Sequence, residues 1–290
     1  MSKTKDRMRE NNLRYKQNLG QNFIYDDRVL ESLAEAAEVT AEEDVLEVGP
    51  GAGSLTGKLC DRARRVVAVE LDERLIPLLQ AFLAEKENLT LVQGDIMTLD
   101  LGKAAAGLEK PYAVVANIPY YITTTLILRL LDEGDAISRL CLMVQKEVAD
   151  KILSAPGKKG WGPLAIRCQY FCEPRLGMQV PAECFTPKPK VDSACILLPR
   201  RGEPAVKVKS EEQFFHVVGA AFALRRKTML NNLCATFRVD RETALGWLQA
   251  AGLDEKIRGE TMTMEELARL ADAMSPGGLS DRPPEPLQAE

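Results

Sequence analysis

Asn117-Ile118-Pro119-Tyr120 is the stretch whose residue types suggest chemistry first. It ends the apolar run Tyr112–Ala116. The Asn side chain carries one acceptor and two donors. Pro119 fixes its own φ and biases Ile118 toward an extended conformation, which lets the Ile118 carbonyl point outward. Tyr120 offers a flat face on which a base can stack. Two acceptors beside a ring would grip an exocyclic amine on a flat heterocycle. The plainer reading is a strand-end turn capped by an Asn, and four residues alone do not choose between the two.

A second constellation lies upstream. The apolar segment Asp44–Val48 runs into Gly49-Pro50-Gly51-Ala52-Gly53, and a helical pattern begins at Ser54. Strand, glycine turn and helix form the first unit of a doubly wound sheet. The spacing is Gly-x-Gly-x-Gly, not the Gly-x-Gly-x-x-Gly of pyrophosphate binders, because position 54 is Ser. Glu70 ends the next apolar run, Arg65–Val69. An acid about 20 residues after such a turn accepts hydrogen bonds from ribose hydroxyls. Gly94-Asp95 follows a third run, Leu89–Val92, where a carboxylate could take an exocyclic amine or simply close a turn.

These groups need a scaffold, and the rest of the chain supplies one. Five strands (44–48, 65–69, 89–92, 112–116 and 138–145) alternate with helical patterns, which predicts an α/β fold with a parallel sheet. The helix after Tyr120 is expected to face inward through Thr124, Ile127, Leu128 and Leu131, and the helix from Asp72 to Ala84 to use Asp72 as its N-cap. Residues 174–180 and 191–198 read as a last strand pair. Between them, Phe185-Thr186-Pro187-Lys188-Pro189-Lys190 puts an aromatic on a proline-stiffened loop: a second plate for a flipped base, or a hydrophobic staple on the sheet. From Glu211 to Met274 the pattern is helical throughout. The expected organisation is therefore a basic arm at 1–15, an α/β domain at 16–203, a small helical domain at 204–275 and a disordered tail at 276–290.

Composition excludes several classes. The 290 residues carry a net charge of −4, but Lys3, Lys5, Arg7, Arg9, Arg14 and Lys16 concentrate positive charge at the start. Arg225-Arg226-Lys227 form a second basic cluster, suited to a phosphate backbone or to a solvated face. No apolar run approaches the roughly 20 residues of a membrane helix, and the N-terminus lacks a secretory h-region, so a cytoplasmic protein is expected. Seven cysteines without a C-x-x-C pair read as free thiols. A single histidine, His216, argues against a metal centre, and none is expected.

Gly20-Gln-Asn-Phe, Leu46-Glu-Val-Gly-Pro-Gly-Ala-Gly, Val69-Glu-Leu-Asp72, Gly94-Asp95, Asn117-Ile-Pro-Tyr-Tyr-Ile, the segment Phe185–Ser193 and Phe222-Ala-Leu-Arg-Arg-Lys-Thr, in this order, resemble the ribosomal RNA adenine N6-dimethyltransferases, and most nearly their bacterial small-subunit branch. The resemblance implies a Class I methyltransferase fold, Rossmann-like, with S-adenosylmethionine (SAM) as methyl donor. It implies a cofactor site at Asn22, Ile24, Gly49, Gly51, Glu70, Asp95 and Asn117, and a catalytic rim at Asn117, Ile118, Pro119, Tyr120 and Phe185. It also implies a substrate: two adjacent adenosines in a hairpin loop near the 3′ end of 16S rRNA, in an immature small subunit (pre-30S). Arg225, Arg226 and Lys227 would face RNA, and a monomer with an added role in ribosome biogenesis is expected. The family usually has Leu where Ile24 stands and often Asn where Tyr121 stands. Rival readings are a large-subunit rRNA methylase, a ribosome-binding factor and an NAD oxidoreductase. A DNA adenine methylase fits less well, because Ile118 stands where a proline would be expected.

Overall fold

The computed structural model describes residues 22–224 and 226–274. The basic arm, Gly20, Gln21, Arg225 and the tail from residue 276 lie outside these described residues.

Nine strands are described: β1 Phe23–Ile24, β2 Asp44–Val48, β3 Arg65–Glu70, β4 Leu89–Gln93, β5 Tyr112–Asn117, β6 Ile137–Gln145, β7 Arg175–Val180, β8 Phe185–Thr186 and β9 Ser193–Pro199. Seven make one sheet in the order β4-β3-β2-β5-β6-β9-β7. From β4 to β6 the pairing is parallel; β9 runs antiparallel to both β6 and β7. Parallel strands are covered on both faces, so β2 and the body of β5 read as unbroken buried runs. The chain leaves β2 toward β3 and β4, then crosses to β5 on the other side of β2. That reversal opens a crevice at the strands' carboxyl ends, the place where open α/β sheets hold ligands.

The expected strands all form, with ends shifted by a residue or two. Two helices differ. Asp72 does accept from the Arg74 N–H, but it caps a 3₁₀ turn, Glu73–Leu75, and the α-helix spans only Ile76–Phe82. Pro77 lacks the N–H that would have continued a regular first turn from Asp72. In the helix Thr123–Asp132 the buried face is Thr123, Leu126, Ile127, Leu130 and Leu131. The expected Thr124 and Leu128 are only half-buried. A 3₁₀ turn at Tyr120–Ile122 precedes this helix and resets its phase.

The chain divides into two compact units, and the division corrects the expected contiguous boundary. One unit runs to Ala149 and resumes over Cys172–Arg200; the other comprises Asp150–Phe171 and the chain from Arg201. Residues 150–171 leave the α/β unit because their large apolar side chains complete the helical core. Trp161, Ile166 and Tyr170 pack there with Phe214, Leu233, Trp247 and Leu267. Trp161 Nε1 donates to the Met262 carbonyl at 3.0 Å, and Tyr170 stacks on Phe214 with centroids 5.1 Å apart. The four helices Glu211–Ala223, Met229–Phe237, Arg241–Ala250 and Met264–Ala273 each begin at a Ser, Thr or Asp cap. His216 is half-buried on the first of them. Among the described residues no helix is long and apolar enough to cross a membrane, and all seven cysteines are free thiols.

Candidate functional site

Within the α/β unit a pocket of ≈ 200 Å³ opens at the carboxyl ends of β2, β3, β4 and β5. Its lining includes Asn22, Ile24, Gly49, Gly51, Glu70, Asp95, Asn117, Ile118, Pro119 and Tyr120. The spacing between these residues in sequence is large, and the sheet brings all of them to one crevice.

The glycine turn follows β2 with φ of +71° at Gly49, +59° at Gly51 and +81° at Gly53. These are left-handed conformations that L side chains adopt at a cost. At Gly51 a Cβ would also come within 2.7 Å of Phe23 Cε1. Glu70, 5% exposed, braces this turn: its carboxylate accepts from the Gly51 N–H at 3.0 Å and the Asp72 N–H at 2.8 Å. Burial raises the Glu70 pKa, and those two amides oppose the rise. One carboxylate thus fixes both the turn and the tip of β3.

Asp95 lies beyond β4, where its Oδ1 accepts from the Met97 N–H at 2.8 Å. Arg129 donates to the Met97 and Leu99 carbonyls and so holds the segment after Asp95. Gly94 packs so closely that a Cβ would meet Leu99 Cδ1 at 2.6 Å.

At the other end, β1 and β8 pair as a two-residue antiparallel ladder, Phe23 with Thr186 and Ile24 with Phe185. The ladder carries Asn22 to the tip of β5, where Asn117 Nδ2 donates to the Asn22 carbonyl at 3.0 Å. This bond assigns the amide's orientation and leaves Oδ1 as the acceptor. Ile118 N–H donates to the Met143 carbonyl at 3.3 Å, and the Ile118 side chain is buried. The Tyr120 hydroxyl lies 2.8 Å from Ser193 Oγ on β9. The turn is therefore pinned to Asn22 just before β1, to β6 and to β9 by separate bonds.

Phe185 departs from its expected place. It is 3% exposed and packs in the core with Ile24, Leu30, Val180 and Cys195, outside the pocket lining. The ladder with β1 pairs Ile24 with Phe185 and holds the ring in this core, as the staple reading expects. Arg226 and Lys227 are exposed on the turn before the helix Met229–Phe237, in the helical unit, where Arg258 donates to the Arg226 carbonyl.

Sequence reasoning missed Glu47. It sits on β2, lines the pocket, is 1% exposed, and its Oε2 has no hydrogen-bond partner among the described residues. Burial pushes its carboxyl up to about 8, with the nearby Glu70 charge adding to the rise. A carboxylate flanked by Leu46 and Val48 in the interior of β2, away from the Asp44 that opens the strand, was the available signal. Ser193, fully buried, was missed for the opposite reason: a small hydroxyl residue gives no hint of its partner 73 residues away.

A family model described as ribosomal RNA adenine dimethylase matches residues 12–273. A ribosomal RNA small subunit methyltransferase A from Clostridium botulinum is 42% identical over 271 residues, covering 93% of this chain and 98% of its own. Its counterpart from Clostridium perfringens is 42% identical over 272 residues, covering 94% and 95%. Among solved structures, a dimethyladenosine transferase from Plasmodium falciparum has a TM-score of 0.73 at 25% identity, over 86% of this chain and 95% of that one. The 23S rRNA methyltransferase ErmE gives 0.67 at 30% identity, over 87% and 98%. These matches run through both compact units and through nearly the whole length of the relatives, so the chain belongs to the ribosomal RNA adenine dimethylase family.

Proposed function

We propose that this chain dimethylates N6 of two adjacent adenosines in a hairpin loop near the 3′ end of 16S rRNA, within the immature small subunit. Membership of the family makes it a SAM-dependent rRNA adenine dimethyltransferase. The observation that carries the finer reading is the Asn117–Asn22 bond: it presents an amide oxygen, beside the Ile118 backbone, at the rim of the pocket. The relatives at 42% identity are named small-subunit methyltransferases, which supports 16S over 23S RNA. ErmE, a 23S methyltransferase, supports the rival at lower identity.

The residues present fit SAM. Gly49 and Gly51 allow close backbone approach at a turn that any Cβ would fill or strain. Glu70 offers its remaining lone pairs to a ribose diol, and Asp95 offers an acceptor for an adenine amine. Asn22 and Ile24 close the wall beside Asn117. When bound, SAM supplies a methyl group on an electrophilic sulfonium.

The acceptor nitrogen is sluggish because its lone pair is delocalised into the purine. Asn117 Oδ1 and the Ile118 carbonyl accept its two hydrogens and favour positive charge as it builds on N6. This is preorganised electrostatic stabilisation with the sign of an oxyanion hole reversed. Pro119 holds the Ile118 carbonyl outward, and Tyr120 gives the extruded base a face to stack on. No strong base is required, since the proton leaves an already cationic amine to water. Arg226 and Lys227, with Arg225 outside the described residues, contact RNA phosphates, and replacing either described cation should lower the salt slope of binding by about 1. A cytoplasmic monomer that also assists small-subunit assembly completes the proposal.

Labelled SAM supplied with undermethylated 30S subunits tests it. Nucleoside analysis should yield N6,N6-dimethyladenosine from 16S RNA. Label appearing in protein-free 23S RNA and not in 30S particles would overturn the small-subunit assignment.

A further inference from the structure

Tyr121 has no role in the account above. It lines the mouth of the same pocket, is 60% exposed, and its hydroxyl has no hydrogen-bond partner among the described residues. Its neighbour Tyr120 is held by Ser193 and half-buried. Both belong to the 3₁₀ turn Tyr120–Ile122, in which successive side chains project about 120° apart. One ring therefore sits at the pocket and the next turns out over its mouth. The turn is rigid: Pro119 precedes it, and buried Thr123 starts the following helix with Oγ1 bonded to the Pro119 carbonyl at 3.4 Å. An exposed ring on a fixed backbone loses little entropy when a flat ligand covers it.

We infer that Tyr121 is the outer stacking platform, taking the base adjacent in the RNA chain to the adenosine inserted beside Tyr120. The inference rests on the two-adenosine reading of the substrate. Bases that are neighbours along a strand meet rings that are neighbours along the turn. While one adenosine occupies the pocket, its partner is unstacked from the RNA loop and needs an apolar face. Tyr121 supplies that face, and it serves either adenosine in turn. Its ring is a positioning group: it does not touch the reacting nitrogen.

The test compares Tyr121→Ala, Tyr121→Leu and Tyr121→Phe on undermethylated 30S subunits, with SAM affinity measured separately by calorimetry. Stacking on an aromatic platform is worth roughly a five-fold to hundred-fold change in affinity per base. Tyr121→Ala should raise KM for 30S by at least about five-fold. It should also increase the fraction of particles carrying only one modified adenosine, read by mass spectrometry of the hairpin fragment. SAM affinity should stay within about two-fold. Tyr121→Phe should restore the wild-type KM and product pattern, and Tyr121→Leu should not. Unchanged KM and product pattern in Tyr121→Ala would overturn the inference, as would full rescue by Leu or loss of SAM binding in the Ala variant. Failure of the unaltered protein to modify 30S at all would instead overturn the substrate reading.

Discussion

The two ends of the pocket are built by different means. At the glycine turn the backbone does the shaping: three left-handed residues and two amides gathered by Glu70. At the Asn117 turn side chains do it, with an amide tied to Asn22 and a phenol tied to Ser193. A backbone-shaped end is damaged by atoms added; a side-chain-shaped end is damaged by atoms removed. The difference also tracks the proposed tasks. The glycine end has only to hold a cofactor, and shape suffices. The Asn117 end has to meet charge that appears during reaction, which needs aimed acceptors.

The largest effect should come from removing an atom at the aimed end. Asn117→Ala deletes the acceptor and the bond to Asn22 together. Loss of one such preorganised group costs about 10²–10³ in kcat. Single-turnover methylation of 30S subunits should show that drop, with a smaller loss in SAM affinity. A kcat within three-fold of the parent would place the acceptor elsewhere.

Adding an atom at the other end should cost binding more than turnover. Gly51→Ala must hold φ +59° and set its Cβ 2.7 Å from Phe23 Cε1. The left-handed conformation alone costs about 1–2 kcal/mol. SAM affinity should fall by roughly ten-fold or more. Phe23→Leu in the same chain should recover the part due to the clash and leave the part due to φ. Complete recovery would show that the glycine is needed for space and not for backbone conformation.

A third comparison uses pH at the glycine end. Glu47 is an acid whose folded pKa, about 8, lies above its ordinary value of 4.5. The folded state therefore binds the extra proton. Its contribution is fully present below pH 4.5 and is lost as pH rises toward 8, by up to ~1.4 kcal/mol per unit. Glu47→Gln should match the parent's stability relation near pH 4.5 and become progressively more stable than the parent toward pH 8, in urea unfolding at several pH values. A constant difference across that range would mean that Glu47 ionises freely in the fold.

How much of this was legible in the sequence also divides along the two ends. Gly49, Gly51 and Glu70 could be placed from spacing, because a glycine turn between a strand and a helix has few geometries and an acid at the next strand tip must lie beside it. Asn117 was legible as a strand-end amide, but its orientation was not. The carbonyl that orients it belongs to Asn22, 95 residues away, brought there by a ladder too short for periodicity to register. The same ladder pairs Phe185 with Ile24 and buries its ring, a placement that the proline-stiffened loop did not announce. Residues 150–171 were misassigned because a helical period looks the same whichever core it completes. The rotated face of Thr123–Asp132 was a phase error set by one 3₁₀ turn.

The smallest predicted effect asks whether the Tyr120 ring needs its tether. Ser193→Ala leaves the phenol at the end of β9 without its partner in a buried place. A hydrogen bond of this kind contributes about 0.5–1.5 kcal/mol, so kcat/KM should fall between about two-fold and ten-fold. Tyr120→Phe removes the hydroxyl and keeps the stacking face, so it should cost about as much and no more. The double variant is the informative one. If the bond's only work is to aim the ring, Ser193→Ala adds nothing on top of Tyr120→Phe, and the two single effects do not sum. If the effects do sum, Ser193 acts on the pocket through something other than Tyr120, and the side-chain-shaped end has a third support that the bond to Tyr120 does not account for.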